Sequence, residues 1–307
     1  MKITVTILVI FFSTTLKFAA LANENKILLK VNNEIITSID ILNEISYLRS
    51  LNEKISNLEN KELIEIARNS LIKDKIKKIT LSKVVEKIEI SDDDFKRILI
   101  SSYSITGYTR IDEITNHLKK YNIKPNLIRN KMTINAIWNQ FIYDKYKKNI
   151  KIDINKLKQD ILKKENQTEY LLSEIVFDLK EKQTVNEKFS IIESAIEKNG
   201  FENSALTYSI SETSTVGGDI GWINENSIDT KILDKIAKLK INNHTEPLVI
   251  PGGYLILRLK DKRISKRKVK LEDELKKIIR IKTNEQLNQF SNIFLNKAKK
   301  DIIINEI

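Results

Sequence analysis

The sequence predicts an α+β protein in which a mostly helical N-terminal part is completed by a C-terminal helix and strand, with a smaller antiparallel-sheet domain inserted between them. Three observations predict it. Residues 41–142 carry one apolar stripe after another at helical spacing. Five of the seven glycines in the 307-residue chain then fall between Gly217 and Gly253, where they mark tight turns that each feed a short apolar strand. A second helical stripe beyond residue 263 carries more apolar surface than a lone helix can leave in water, so it must dock on something.

The chain opens with Met1-Lys2, an apolar run from Ile3 to Phe12, and Ala20-Leu21-Ala22 as a small-x-small cleavage site before Asn23. This reads as a secretory signal peptide over 1–22, cleaved after Ala22, with an uncleaved anchor as the alternative. Lys17 and the short run argue against a spanning helix, which needs about 20 apolar residues. Loss of Lys2 and Lys17 takes the 53 basic side chains to 51 against 41 acidic, a net +10.

Ile27–Val31 and Glu34–Ile36 form a hairpin about the Asn32-Asn33 turn, since asparagine tolerates positive φ. Thr37 or Ser38 caps a helix with the stripe Ile41, Leu42, Ile45, Leu48. A second helix runs from Lys61 with Ile72, Ile76 and Ile79, and a third begins at the cap Ser91 with three aspartates suited to the helix dipole. Ile111, Ile114 and Leu118 mark a fourth, and Ile134, Trp138 and Phe141 a fifth. The aromatics here are read as core. Tyr170–Phe177 is a strand, Thr184-Val185-Asn186-Glu187 a capping box opening a helix, and Phe201–Leu206 a short helix. Val216–Ile223 is turn and strand, Ile232 to Leu239 one amphipathic helix, and Pro251–Leu257 turn and strand. Leu271 to Phe294 is a helical stripe and Ile302-Ile303-Ile304 a closing strand.

Composition excludes several chemistries. With no cysteine and only His117 and His244, neither a disulfide framework nor a zinc site is expected, and no cofactor either, because Gly217, Gly218 and Gly221 lack a Gly-x-Gly-x-x-Gly spacing. The basic stretch Lys260–Lys270 has seven basic residues and one acid but no interleaved aromatics, so it reads as a solvated linker, with weak attraction to anionic membrane surfaces or acidic clients as the alternative, and not as a nucleic-acid surface. No segment after residue 22 is apolar enough for stable membrane insertion.

Residues 166–263 resemble the parvulin family of peptidyl-prolyl isomerase (rotamase) domains. The resemblance rests on the strand Tyr170–Phe177, the signature turn Gly217-Gly218-Asp219-Ile220-Gly221-Trp222 and the Gly252-Gly253-Tyr254 strand. It implies site positions at Glu174 and Leu255, where the family carries histidines, at Ser211 for its cysteine or aspartate, and at Ile228 and Ile232 for its Met/Phe shelf. All five depart from the active set, so no catalytic residue is assigned and little or no isomerase activity is expected.

Residues 23–165 are similar to the N-terminal domain of the SurA family of periplasmic chaperones, on Val31-Asn32-Asn33-Glu34-Ile35-Ile36-Thr37-Ser38-Ile39-Asp40. That resemblance implies four parts: a signal peptide, 1–22; a helical chaperone domain, 23–165; a parvulin-like domain, 166–263; and a helix and strand, 264–307, folding back onto the helical domain. It implies a monomeric periplasmic folding factor that holds unfolded polypeptides, outer-membrane proteins among them, without ATP. A working isomerase and an adhesin-like structural protein are the alternatives.

Overall fold

The computed structural model describes residues 25–162, 166–180, 182–266 and 271–307. The signal peptide expected at 1–22 and residues 267–270 of the basic stretch lie outside the described residues.

β1 (Ile27–Val31) and β2 (Glu34–Thr37) pair antiparallel about Asn32, whose φ of 50° is the left-handed turn expected of asparagine. α1 (Ser38–Leu51) starts at Thr37 through a full capping box: its hydroxyl accepts from Asp40 N–H, and the Asp40 carboxylate accepts from Thr37 N–H. α2 (Asn60–Leu81), α3 (Asp92–Tyr103), α4 (Ile111–Lys120) and α5 (Pro125–Tyr146) follow. Ser91 caps α3, and Pro125 sits at the start of α5, where its missing N–H costs nothing. α6 (Ile154–Leu162), a short helix beyond those expected from the sequence, buries Leu157 and Ile161.

The inserted sheet is built on β3 (Asn166–Phe177), with strand order β4-β3-β6-β5 for β4 (Asp219–Asn224), β5 (Leu248–Ile250) and β6 (Gly253–Lys266). All pairings are antiparallel. α7 (Val185–Asn199) and α8 (Phe201–Tyr208) cover one face over Ile175, Phe177 and Ile256, and α9 (Thr230–Ile236) covers the other over Leu172, Val176 and Leu257. α9 stops at Ile236, short of the expected Leu239: the Leu239 N–H bonds to the Ile236 carbonyl at 3.0 Å in a tighter turn, and beyond it the Asn242 N–H (φ 71°) reaches the Leu259 carbonyl on β6.

The solvated linker expected at Lys260–Lys270 is corrected as far as Lys266. Residues 260–266 belong to β6; 261–266 pair with Asn166–Leu171 of β3, and the register shifts at Lys260. Charge does not oppose this pairing, because Lys260 meets Asp219 at 3.4 Å and Arg263 meets Glu169 at 2.7 Å.

α10 (Leu271–Lys300) is a single 30-residue helix, and β7 (Ile304–Glu306) pairs antiparallel with β1, completing the sheet β2-β1-β7. Its apolar stripe divides between two partners. Leu271, Leu275, Ile278 and Ile279 pack on Leu157 and Ile161 of α6, whereas Leu287, Phe290, Phe294 and Leu295 join the core of α1–α5. At that junction Trp138, fully buried, donates its indole N–H to Ser291 Oγ at 2.8 Å and lies 5.7 Å from the Phe294 ring, and Tyr146 stacks on Phe290 at 4.8 Å. The same core encloses Lys131, paired with Glu44 at 2.9 Å and with Asp74. Among the described residues no helix is long and apolar enough to cross a membrane.

Candidate functional site

The five positions singled out from sequence converge on one region of the inserted domain. Glu174 lies on β3, Leu255 on β6, Ser211 at the start of the 3-10 turn Glu212–Val216, Ile228 just before α9 and Ile232 on α9. The fold brings them together as two halves. Ser211 Oγ donates to Glu174 Oε1 at 2.7 Å, and Thr213 Oγ1 lies 2.8 Å from the same oxygen. Ile228, Ile232 and the buried Leu255 form a single apolar cluster with Leu172 and Val176. Both hydroxyl protons are directed at a carboxylate, and the other half of the site carries no polar side-chain atom.

The signature turn sets this geometry. Gly218, at φ 75°, lies so close to β3 that a Cβ there would stand 2.1 Å from the Glu174 carbonyl oxygen. That proximity lets the Gly218 carbonyl accept the Glu174 N–H at 2.7 Å, and Gly218 N–H reaches the Thr213 carbonyl at 2.8 Å. The turn therefore fixes Glu174 and Thr213 relative to each other. Gly217 caps the 3-10 turn in the left-handed region. Asp219 accepts from Gly221 N–H and from Lys260, and the Arg263 guanidinium lies 4.1 Å over the Trp222 ring.

Sequence reasoning missed the groups around this loop. Thr213 could have been suspected from the hydroxyl-rich run Ser209, Ser211, Thr213, Ser214, Thr215. Nothing in the sequence pointed to Glu212, which receives Lys77 Nζ of α2 at 3.1 Å, or to Lys73, which donates to the Ile210 carbonyl at 3.2 Å. Lys77 is the first cause holding the Glu212 carboxyl below its ordinary pKa, against desolvation. Burial lowers the Lys73 ammonium to about 8. Leu206 and Val216 also reach into the helical core, so the seam between the two parts is both apolar and ionic.

A crevice of about 520 Å³ opens on this seam. Leu51, Tyr108 and His117 line it from the helical side, and Val216, Glu202 and Lys260 from the sheet side. His117 is fixed by Ser50, whose carbonyl lies 2.7 Å from Nε2, and by Tyr108 and Tyr121 rings at 4.7 and 5.1 Å.

Residues 170–261 match the Rotamase family, described as the PPIC-type PPIASE domain. The chain is SurA-like and carries a parvulin domain. It is 32% identical over 90 residues to the Chaperone SurA of Pseudomonas syringae pv. syringae (strain B728a), a stretch covering 29% of this chain and 21% of that protein. Against the Chaperone SurA of Hahella chejuensis it is 24% identical over 209 residues, covering 64% of this chain and 48% of that one. The chain thus spans between about a fifth and about a half of the length of these curated relatives. Among solved structures, one from a study of two SurA-like chaperones of Campylobacter jejuni is 14% identical at a TM-score of 0.36, covering 92% of this chain and 99% of that chain. The matched span of the parvulin domain runs from Tyr170 to Asp261, inside β3 and β6 at both ends.

Proposed function

We propose that this protein is a monomeric periplasmic chaperone that binds unfolded exported polypeptides, outer-membrane proteins among them, without ATP, and that its parvulin domain has no isomerase activity. In this reading residues 1–22 direct export, 23–165 and 264–307 together form the chaperone body, and 166–263 form the parvulin domain. The observation that carries the reading is the seam crevice. It sets Tyr108, His117, Leu51 and Val216 beside Glu202 and Lys260, a mixture that accepts an extended segment's apolar side chains and its polar backbone alike. Weak, many-sited binding of this kind allows release without fuel. Inactivity follows from the site's chemistry. Isomerisation must lower a barrier of about 18–20 kcal/mol by stabilising a twisted amide, and the hydroxyls that could donate to its carbonyl are directed at Glu174.

Two experiments test the reading. A photo-crosslinking residue at Tyr108 should capture a urea-denatured outer-membrane barrel protein on dilution, and the same residue at exposed Lys240 should not. Equal capture at both positions would remove the crevice from the mechanism. An Ala-Leu-Pro-Phe peptide should isomerise at its uncatalysed rate, and acceleration abolished by Glu174→Ala would establish the working-isomerase alternative instead.

A further inference from the structure

We infer that the inserted domain takes up client polypeptide as an added strand: the outer edge of β6 over residues 261–266 pairs through its main chain with an extended, acid-bearing segment of an unfolded client. The inference deepens the chaperone reading and rests on it.

β6 runs past its neighbours on that side. β5 pairs with it only over residues 253–255, and residues 242–245 cover it as far as Leu259, whose N–H bonds to the Asn243 carbonyl at 3.0 Å and whose carbonyl accepts the Asn242 N–H at 2.7 Å. Beyond Leu259 no described strand pairs with β6 except β3.

Backbone alternation decides which groups this edge presents. The Glu174 N–H bonds at 2.7 Å to Gly218, next to β4, so even-numbered residues of β3 turn their main chain toward β4 and odd-numbered ones toward β6. Asp261 and Arg263 stand opposite Leu171 and Glu169 and therefore bond to β3. Lys262 and Ile264, opposite Tyr170 and Thr168, turn their N–H and carbonyl groups outward. Two hydrogen bonds agree with this. The Lys262 N–H goes to the Asp261 carboxylate at 2.8 Å and not to β3, and the Thr168 N–H goes to Glu225 at 3.1 Å and not to β6. At about 3.3 Å per residue the edge is about 20 Å long, the length of an ordinary strand.

Its side chains select the partner. Lys260, Lys262, Arg263 and Lys266 stand along it against the single acid Asp261. A second copy of this edge would set lysine and arginine against one another, which opposes pairing, whereas a strand carrying glutamate or aspartate meets the opposite sign. Ile264, 77% exposed, adds an apolar contact, and main-chain bonds serve clients of many sequences. Lys260, the residue before this edge, also lines the seam crevice, so the two sites adjoin.

A fluorescein-labelled peptide, Thr-Glu-Val-Glu-Val-Glu-Val-Thr, should bind the full chain and protect residues 260–266 from hydrogen exchange. Ile264→Pro removes an outward N–H and no bond to β3, so the chain should keep its urea transition and bind the peptide at least about tenfold more weakly. Ile264→Thr retains that N–H and should bind within about twofold of the native chain. Against the native chain, the same peptide N-methylated throughout, or carrying lysine at each glutamate, should bind at least about tenfold more weakly, a comparison that holds even where proline disturbs the sheet. Absence of binding, equal affinities of Ile264→Pro and Ile264→Thr, or equal affinities for the three peptides each overturns the inference. A dimer in sedimentation that Ile264→Pro dissolves overturns it too, by making a second copy the occupant. Capture at Tyr108 is a separate readout: its loss with peptide binding intact removes the crevice from the chaperone reading, and its persistence without peptide binding removes the edge alone.

Discussion

Gly218→Ala tests the turn on which the site is built. At φ 75° an alanine pays the left-handed penalty of about 1–2 kcal/mol. Its Cβ would also stand 2.1 Å from the Glu174 carbonyl oxygen, and that oxygen is backbone in the middle of β3, so it cannot swing away as a side-chain tip would. β4 must retreat from β3, which breaks the Gly218–Glu174 and Gly218–Thr213 hydrogen bonds of 2.7 and 2.8 Å, at about 1–3 kcal/mol for each group left unpaired. The sum, about 3–8 kcal/mol, is comparable to the whole stability of a small domain. Gly221→Ala is the control, because at φ 79° it has the same backbone penalty and nothing within 4 Å of the new methyl. With only two tryptophans in the chain, Trp138→Phe leaves Trp222 on β4 as a reporter of this domain alone. Urea unfolding in that background should place the Gly218→Ala midpoint at least about 1 M below that of Gly221→Ala, given slopes of about 1–3 kcal/mol/M. Coincident midpoints would refute the close approach and with it the account of how Glu174 is positioned.

Three further outcomes are expected. Removing residues 267–307 strips the buried Leu295 and Ile302 and the half-buried Phe290 and Phe294 from the helical core and leaves the Trp138 indole without Ser291; at about 1.5–3 kcal/mol for each fully buried side chain, and part of that for the two rings, the body should unfold, with circular dichroism losing more helix than α10 contains. Lys131→Met leaves the buried Glu44 and the half-buried Asp74 without their cation and should cost about 3–5 kcal/mol in thermal or urea melts, much of it recovered when Glu44→Leu is added; a loss under 1 kcal/mol would mean the triad is not held as described. Glu212 has a folded-state pKa below its ordinary value, chiefly through Lys77, so its contribution to the seam is present above about pH 4.5 and is lost as pH falls through the folded value. Urea melts of the native chain should therefore weaken more steeply in acid than those of Glu212→Gln, and parallel pH dependences would refute the Lys77–Glu212 pairing.

The elements that were legible in the sequence are those fixed by local chemistry. Thr37, Ser91 and Thr184 announce helix starts because a hydroxyl can satisfy N–H groups only at that place, and Asn32 and the glycine pair announce turns by the backbone angles they permit. α6 went unread although Ile154, Leu157 and Ile161 keep helical spacing, since nine residues give a weak periodic signal. The far half of β6 was misread because its charges are balanced by Glu169 and Asp219, distant in sequence and adjacent only across the sheet. The site was legible to the same degree: Glu174 and Ser211 could be named, but the lysines that flank them come from α2, and pairings of that range leave no local trace.

The closing of the first sheet by β7 has a consequence for how this molecule is made. Asn32 and Ile303 bond to each other across 271 positions of chain, through the Ile303 N–H to Asn32 Oδ1 and the Asn32 N–H to the Ile303 carbonyl. β1 therefore lacks one of its two neighbours, and Trp138 lacks its lid, until residues 291–306 arrive. In a polypeptide delivered amino end first, the parvulin domain can collapse while the body that carries it is still incomplete. The inserted domain and the body that carries it are therefore completed in that order, and the body becomes rigid only in a last step that joins the two ends of the chain.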